Sequence, residues 1–156
     1  MNPELQLMNA IRTGEVSTVA ELIKQQPDLV NKTDARGFTP LIMAGYFNQL
    51  EIVKLFIENK ADLNAKDASG NTALMGAVFK GFTEVSEYLI EQGADLESKN
   101  NDGSTALTFA AAYGDYEIID LLIEAKADTS VKDKQGLTPL DHAKVQGNQA
   151  YIKAVE

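Results

Sequence analysis

Short apolar bursts alternate with polar turns along this chain, and the bursts have helical spacing. Leu41 and Ala44, Leu74 and Ala77, and Leu107 and Ala110 stand three residues apart, which puts each pair on one face of a helix. A denser run follows: Ile52, Val53, Leu55, Phe56 and Ile57 in one stretch, Ile118, Ile119, Leu121, Leu122 and Ile123 in another. Glu51 and Glu58, or Glu117 and Glu124, flank these runs, so each predicts an amphipathic helix with acids on its wet side. Gly81, Gly114 and Gly147 end the first helix of a pair, and Asn48 takes that place in another copy. Ahead of each pair lies a turn opened by Asp34, Asp67, Asn100 or Asp133. Behind the turn, Thr39, Thr72, Thr105 or Thr138 is suited to cap the coming helix, with Pro40 and Pro139 in its first turn.

The pattern has a period. Gly37, Gly70, Gly103 and Gly136 are spaced 33 residues apart, and the same step relates the four threonines and the leucine and alanine columns as far as Leu140 and Ala143. A single helical pair cannot bury such a stripe, so neighbouring units must supply the rest of the core. The first unit joins the pattern if one residue is inserted at Gln25-Gln26-Pro27; Leu7, Ala10, Val19 and Leu22 then match Leu41, Ala44, Val53 and Phe56.

Gly37-Phe38-Thr39-Pro40-Leu41 and Gly136-Leu137-Thr138-Pro139-Leu140, with Lys60-Ala61-Asp62-Leu63-Asn64 and Gly93-Ala94-Asp95-Leu96, resemble ankyrin repeats. The resemblance implies one all-α domain over 1–156, a solenoid of helix-turn-helix units joined by β-hairpin-like loops. It divides into an N-terminal cap at 1–33, full repeats at 34–66, 67–99 and 100–132, and a capping repeat at 133–156. The family's histidine after Thr-Pro-Leu is replaced by Ile42, Met75, Thr108 and Asp141, and Ser86 stands in a column otherwise held by Val53 and Ile119.

Composition narrows the chemistry. Fourteen lysines and arginines against 23 aspartates and glutamates give a formal charge of −9, which disfavours nucleic acid and anionic membrane as main partners. The chain has no cysteine and only one histidine, so thiol nucleophiles, disulfides and two-imidazole metal sites are excluded. His142 has no second ligand at a recognisable spacing and is expected to be a half-buried, hydrogen-bonded structural residue. Ser98, Asn100 and Asp102 echo part of a calcium loop, but Phe109 stands where a bidentate glutamate is needed. Glu4, Arg12 and Glu15 interrupt any secretory h-region, and no apolar stretch is long enough to span a bilayer, so a cytoplasmic protein is expected. No catalytic residue, metal or cofactor is expected.

The informative positions are those that stacking does not use. The ankyrin resemblance implies a concave face made of the hairpin tips and the outer side of the first helices. Phe38, Tyr46, Phe47, Phe79 and Tyr113 map there, with Tyr46 and Phe79 expected to pack toward the next repeat and Phe47 and Tyr113 to face outward. Arg36, Lys66 and Lys80 map to the rim, whereas acids such as Glu84, Glu87 and Glu91 fall on the second helices. The expected function is therefore non-catalytic binding of another protein, one with an acidic, partly apolar patch, by a monomer. The alternatives are a self-associating structural protein or an enzyme working through surface carboxylates.

Overall fold

A computed structural model describes residues 2–156. It contains five helical pairs: α1 (Pro3–Thr13) with α2 (Val16–Gln25), α3 (Pro40–Tyr46) with α4 (Leu50–Glu58), α5 (Ala73–Lys80) with α6 (Thr83–Glu91), α7 (Ala106–Tyr113) with α8 (Tyr116–Glu124), and α9 (Pro139–Gln146) with α10 (Gln149–Val155). A 3-10 turn at Pro27–Asn31 takes up the residue by which the first unit is longer. Among the described residues there is no strand, so the hairpin-like loops are chains of turns.

Local chemistry sets each element. The hydroxyls of Thr39, Thr72, Thr105 and Thr138 accept bonds from the backbone N–H of Ile42, Met75, Thr108 and Asp141, satisfying a donor that the first helical turn leaves open. Gly81 and Gly147 close α5 and α9 in the left-handed region, and Asn48 adopts it after α3 with φ 57°. Gly114 does not: its φ is −75°, because Asp115 turns outward to cap α8 through Ile118 N–H. The freed carbonyls at the end of α7 are capped instead from the next unit, where the Asn148 amide donates to the Ala111 and Gly114 carbonyls at 2.9 and 3.0 Å.

First helices pack in one row, α1 on α3 on α5 on α7 on α9, and second helices in another. Ala44, Ala77, Ala110 and Ala143 are wholly buried between first helices, where only a small side chain admits so close an approach. Ile52, Val53, Phe56, Val85, Leu89, Ile118, Ile119 and Leu122 fill the seam with the second row, each withdrawn from water and contributing roughly 1.5–3 kcal/mol. Ser86 is buried in this seam without penalty, since its hydroxyl donates to the Phe82 carbonyl at 2.8 Å.

Two ladders tie the loops together. The carbonyls of Arg36, Ser69 and Asp102 accept from Ala68, Asn101 and Lys134 N–H in the following hairpin at 3.0–3.1 Å. In a second ladder, Asn31 and Asn64 accept from Asp62 and Asp95 N–H at 2.8 Å, and the Glu97 carboxylate does the same for Asp128 N–H. Within each hairpin one side-chain oxygen of Asp34, Asp67, Asn100 or Asp133 accepts from the amides two and four residues on. The last hairpin also employs His142, whose Nε2 lies 2.6 Å from Asp133 Oδ2, with the imidazole only 24% exposed. The sole histidine is thus half-buried and hydrogen-bonded.

Asn64→Ala should destabilise the chain by about 1 kcal/mol, the typical worth of one hydrogen bond, as read in a urea denaturation curve. The Asp133 carboxyl sits below the usual carboxylate range: burial pushes it up, but the Leu137 and Gln135 amides and the His142 ring outweigh that. A depressed native pKa contributes stability that is complete above the unfolded value of about 3.9 and disappears as pH falls through the native value. Asp133→Asn should therefore lower the melting temperature at neutral pH and flatten its decline below about pH 4, as thermal melts across pH would record.

Candidate functional site

A run of large apolar side chains lies open on the side of the stack formed by the hairpins and first helices. Tyr46, Phe47, Phe79 and Tyr113 are 48%, 38%, 52% and 58% exposed, whereas their helical neighbours Leu41, Leu74 and Leu107 are buried. The pattern follows from register: the residues two and three beyond the column alanine lie near the end of the first helix and mostly point away from the helix-helix seam, Ala112 being the buried exception. Edge-to-face contacts hold the rings. Tyr46 meets Phe47, and Phe79 meets both Phe109 and Tyr113, every pair with centroids 5.7 Å apart. Tyr46 and Phe79 do reach the following unit, the first beneath Lys80 and the second against Phe109, yet both remain about half exposed.

All of these rings but Tyr113, which stands against Phe79 beside them, line connected depressions. Phe38, Ile42, Tyr46, Met75, Phe79 and Phe109 border a hollow of about 340 Å³ whose polar edge comes from Asp67, Ser69, Asn71 and Thr72. Phe38, Ile42 and Tyr46 also border a second hollow with Arg36, Met43 and Phe47. From there a third continues past Phe47 and Arg36 to Leu5, Met8 and Arg12 on α1. The result is a shallow apolar groove crossing several units.

The three cations that the sequence placed at the rim are each engaged. Arg36 donates from Nε and Nη2 to Asp34 Oδ2 at 3.2 and 2.9 Å, while its guanidinium carbon lies 4.6 Å from the Phe38 ring centre. Burial pushes the Asp34 carboxyl up, but the bonds from Arg36 and from the Phe38 and Arg36 amides carry it below its ordinary value. Lys80 Nζ sits 4.8 Å above the Tyr46 ring, a cation–π contact between consecutive units. Lys66 lies apart from these, donating to the Lys99 carbonyl at 2.8 Å and bordering none of the three hollows.

Several groove residues were not singled out from the sequence. Phe109 stands in the column of Met43, Gly76 and His142, and only the packing shows it joining Phe79. Leu5 on α1 and Val145 on α9, 50% and 74% exposed, are further large apolar side chains left open in the stack; Leu5 borders the groove's end. The step of 33 does not mark Leu5, because the first unit departs from it; Val145 lies in the same column as Tyr46 and Phe79. Among the described residues no group of three histidines or carboxylates is arranged to hold a metal ion, and no helix is long and apolar enough to cross a membrane.

Comparison with known proteins agrees with this architecture. The family described as ankyrin repeats, in three copies, matches residues 7–100 and 74–155. Similar curated proteins include the DNA-binding protein RFXANK of Homo sapiens, 45% identical over 49 residues, or 31% of this chain and 19% of that protein. Ankyrin repeat domain-containing protein 49 of Drosophila melanogaster is 34% identical over 59 residues, 38% of this chain and 27% of its own length. Palmitoyltransferase AKR1 of Debaryomyces hansenii is 43% identical over 68 residues, 41% of this chain and 8% of that enzyme. The chain therefore spans less than a third of each of these relatives. With a matched region that runs from residue 7 to residue 155 and a structure of stacked helical pairs on a step of 33, the chain belongs to the ankyrin-repeat family, whose repeats are generally protein–protein interaction modules.

Proposed function

We propose that this protein is a non-catalytic interaction module, cytoplasmic and monomeric, that holds a partner protein in the groove between its hairpins and first helices. The observation that carries this reading is the convergence of Tyr46, Phe47, Phe79 and Tyr113, all more than a third exposed, along one strip. Isolated exposed aromatics are ordinary on a soluble surface; several meeting in a groove form an apolar patch of the kind that interfaces use. Their rings have few rotors to freeze, and the edge-to-face contacts already restrict them, so binding costs little ordering entropy.

Charge supports a partner with an acidic patch. Arg12, Arg36 and Lys80 stand beside the rings, while Glu51, Glu58, Glu84, Glu87, Glu91, Glu117 and Glu124 are exposed on the second helices. Such an arrangement favours approach of an acidic surface to the groove and disfavours it at the second helices, chiefly through the association rate.

Phe47→Ala and Tyr113→Ala should each weaken partner binding by about 2 kcal/mol while circular dichroism stays that of the parent, whereas Lys80→Ala should cost less and lose its effect at high salt. Titration calorimetry with a partner captured by the parent protein measures all three. Unchanged binding by both aromatic variants, with loss on replacing Glu87 and Glu91, would place the site on the opposite face. A concentration-dependent mass in analytical ultracentrifugation would favour self-association instead.

A further inference from the structure

The four hairpins are structural copies, and three of them use the far side of the turn-opening side chain on a partner within the chain. Asp34 Oδ2 holds the Arg36 guanidinium, which stacks on Phe38. Asn100 Nδ2 donates to Asn71 Oδ1 at 2.9 Å. Asp133 Oδ2 bonds the His142 ring. Asp67 is the exception: its Oδ1 accepts from Ser69 and Asn71 N–H, as in the other turns, but its Oδ2 has no partner among the described residues.

Substitution explains the vacancy. Ser69 stands one period after Arg36, and Gly76 stands two periods before His142, so the second hairpin lacks both groups that satisfy this oxygen elsewhere. A Cβ on Gly76 would meet no atom within 4 Å, which leaves open the space that the imidazole fills beside Asp133. Asp67 is half-buried and, among the described residues, is the only charged side chain bordering this hollow, whose apolar walls include Phe38, Tyr46, Phe79 and Phe109. The nearby cations are committed elsewhere, Arg36 to Asp34 and Lys80 to the Tyr46 ring.

We infer that Asp67 and the aromatic walls over Gly76 form a subsite for one arginine side chain of the bound partner. A guanidinium suits it better than an ammonium: it is planar, offers two donors to one carboxylate, stacks on aromatic faces and gives up its hydration more cheaply. The chain shows the arrangement in its own first hairpin, where Arg36 lies between Asp34 and the Phe38 ring. The inference rests on the groove reading, to which it adds one recognised residue type within an otherwise acidic, partly apolar partner.

The probe is N-acetyl-arginine amide, titrated into the ¹⁵N-labelled protein at low salt, with N-acetyl-leucine amide and N-acetyl-glutamine amide as controls. The arginine derivative should produce saturable millimolar shifts of the Ser69, Asn71 and Gly76 amides, and the controls none. Asp67→Asn should weaken this binding about tenfold, the loss of one charge-assisted pair. Asn100 makes the same turn bonds as Asp67, so that variant retains the hairpin. Gly76→His, which places the chain's own imidazole beside Asp67, should block the subsite and leave the fold intact. The arginine titration uses the protein without a partner, so a failure here is separable from a failure of the groove reading, which is scored on partner binding. Shifts spread over the acidic second helices, insensitive to Asp67→Asn, or equal occupancy by the leucine amide, would overturn the assignment.

Discussion

Each hairpin hands one backbone carbonyl to the amide of the next, from Arg36 to Ala68, from Ser69 to Asn101 and from Asp102 to Lys134, and the rest of the structure depends on this repeated bond. To make it, successive hairpins must approach until there is no room for a side chain between them. A Cβ on Gly37 would come within 2.9 Å of Ala68 N, on Gly70 within 2.8 Å of Asn101 N, and on Gly103 within 3.1 Å of Lys134 N. At Gly136, which no hairpin follows, a Cβ would meet nothing within 4 Å. The column glycine thus meets two demands, a positive φ in the turn and a close contact with the neighbouring backbone, and only the first survives in the last hairpin.

Once the hairpins are in register, the helices have little choice. The buried alanine column lets the first helices stack closely, and the Asn31, Asn64 and Glu97 bonds hold the loops just after the second helices to the same step. Except for the buried Ala112, the large residues two and three beyond each alanine are then turned out of the seam, and what occupies those places is free to serve binding. In this chain those places hold Tyr46, Phe47, Phe79, Lys80 and Tyr113, and the regular stacking converts scattered sequence positions into one continuous strip. Function here is a property of what stacking leaves over.

The same logic explains what the sequence disclosed. The period, the threonine caps and the buried columns were legible because each repeats, so that any one copy corroborates the others. The aromatic positions were legible through their register against Ala44, Ala77 and Ala110. What escaped was set by single copies. Gly114 reads like Gly81 and Gly147, yet Asp115 and the reach of Asn148 draw it into an extended conformation. The importance of Gly76 as open space beside Asp67 emerges only when the neighbouring units are in place. Arg36 and Lys80 read only as rim charges, whereas the structure shows ring contacts and Asp34 holding them in defined positions.

Amide hydrogen exchange in the native protein tests the central claim most directly, because the inter-hairpin bonds lie in loops where neither helix nor strand would protect an amide. The account predicts that Ala68, Asn101 and Lys134 exchange many-fold more slowly than unstructured amides of the same sequence, with the slowing lost at Lys134 when Asp102 and its turn are disrupted by Gly103→Val. Exchange of all three at the rate of an unstructured chain would contradict it, for the hairpins would then be loose appendages rather than the interlock that sets the stack.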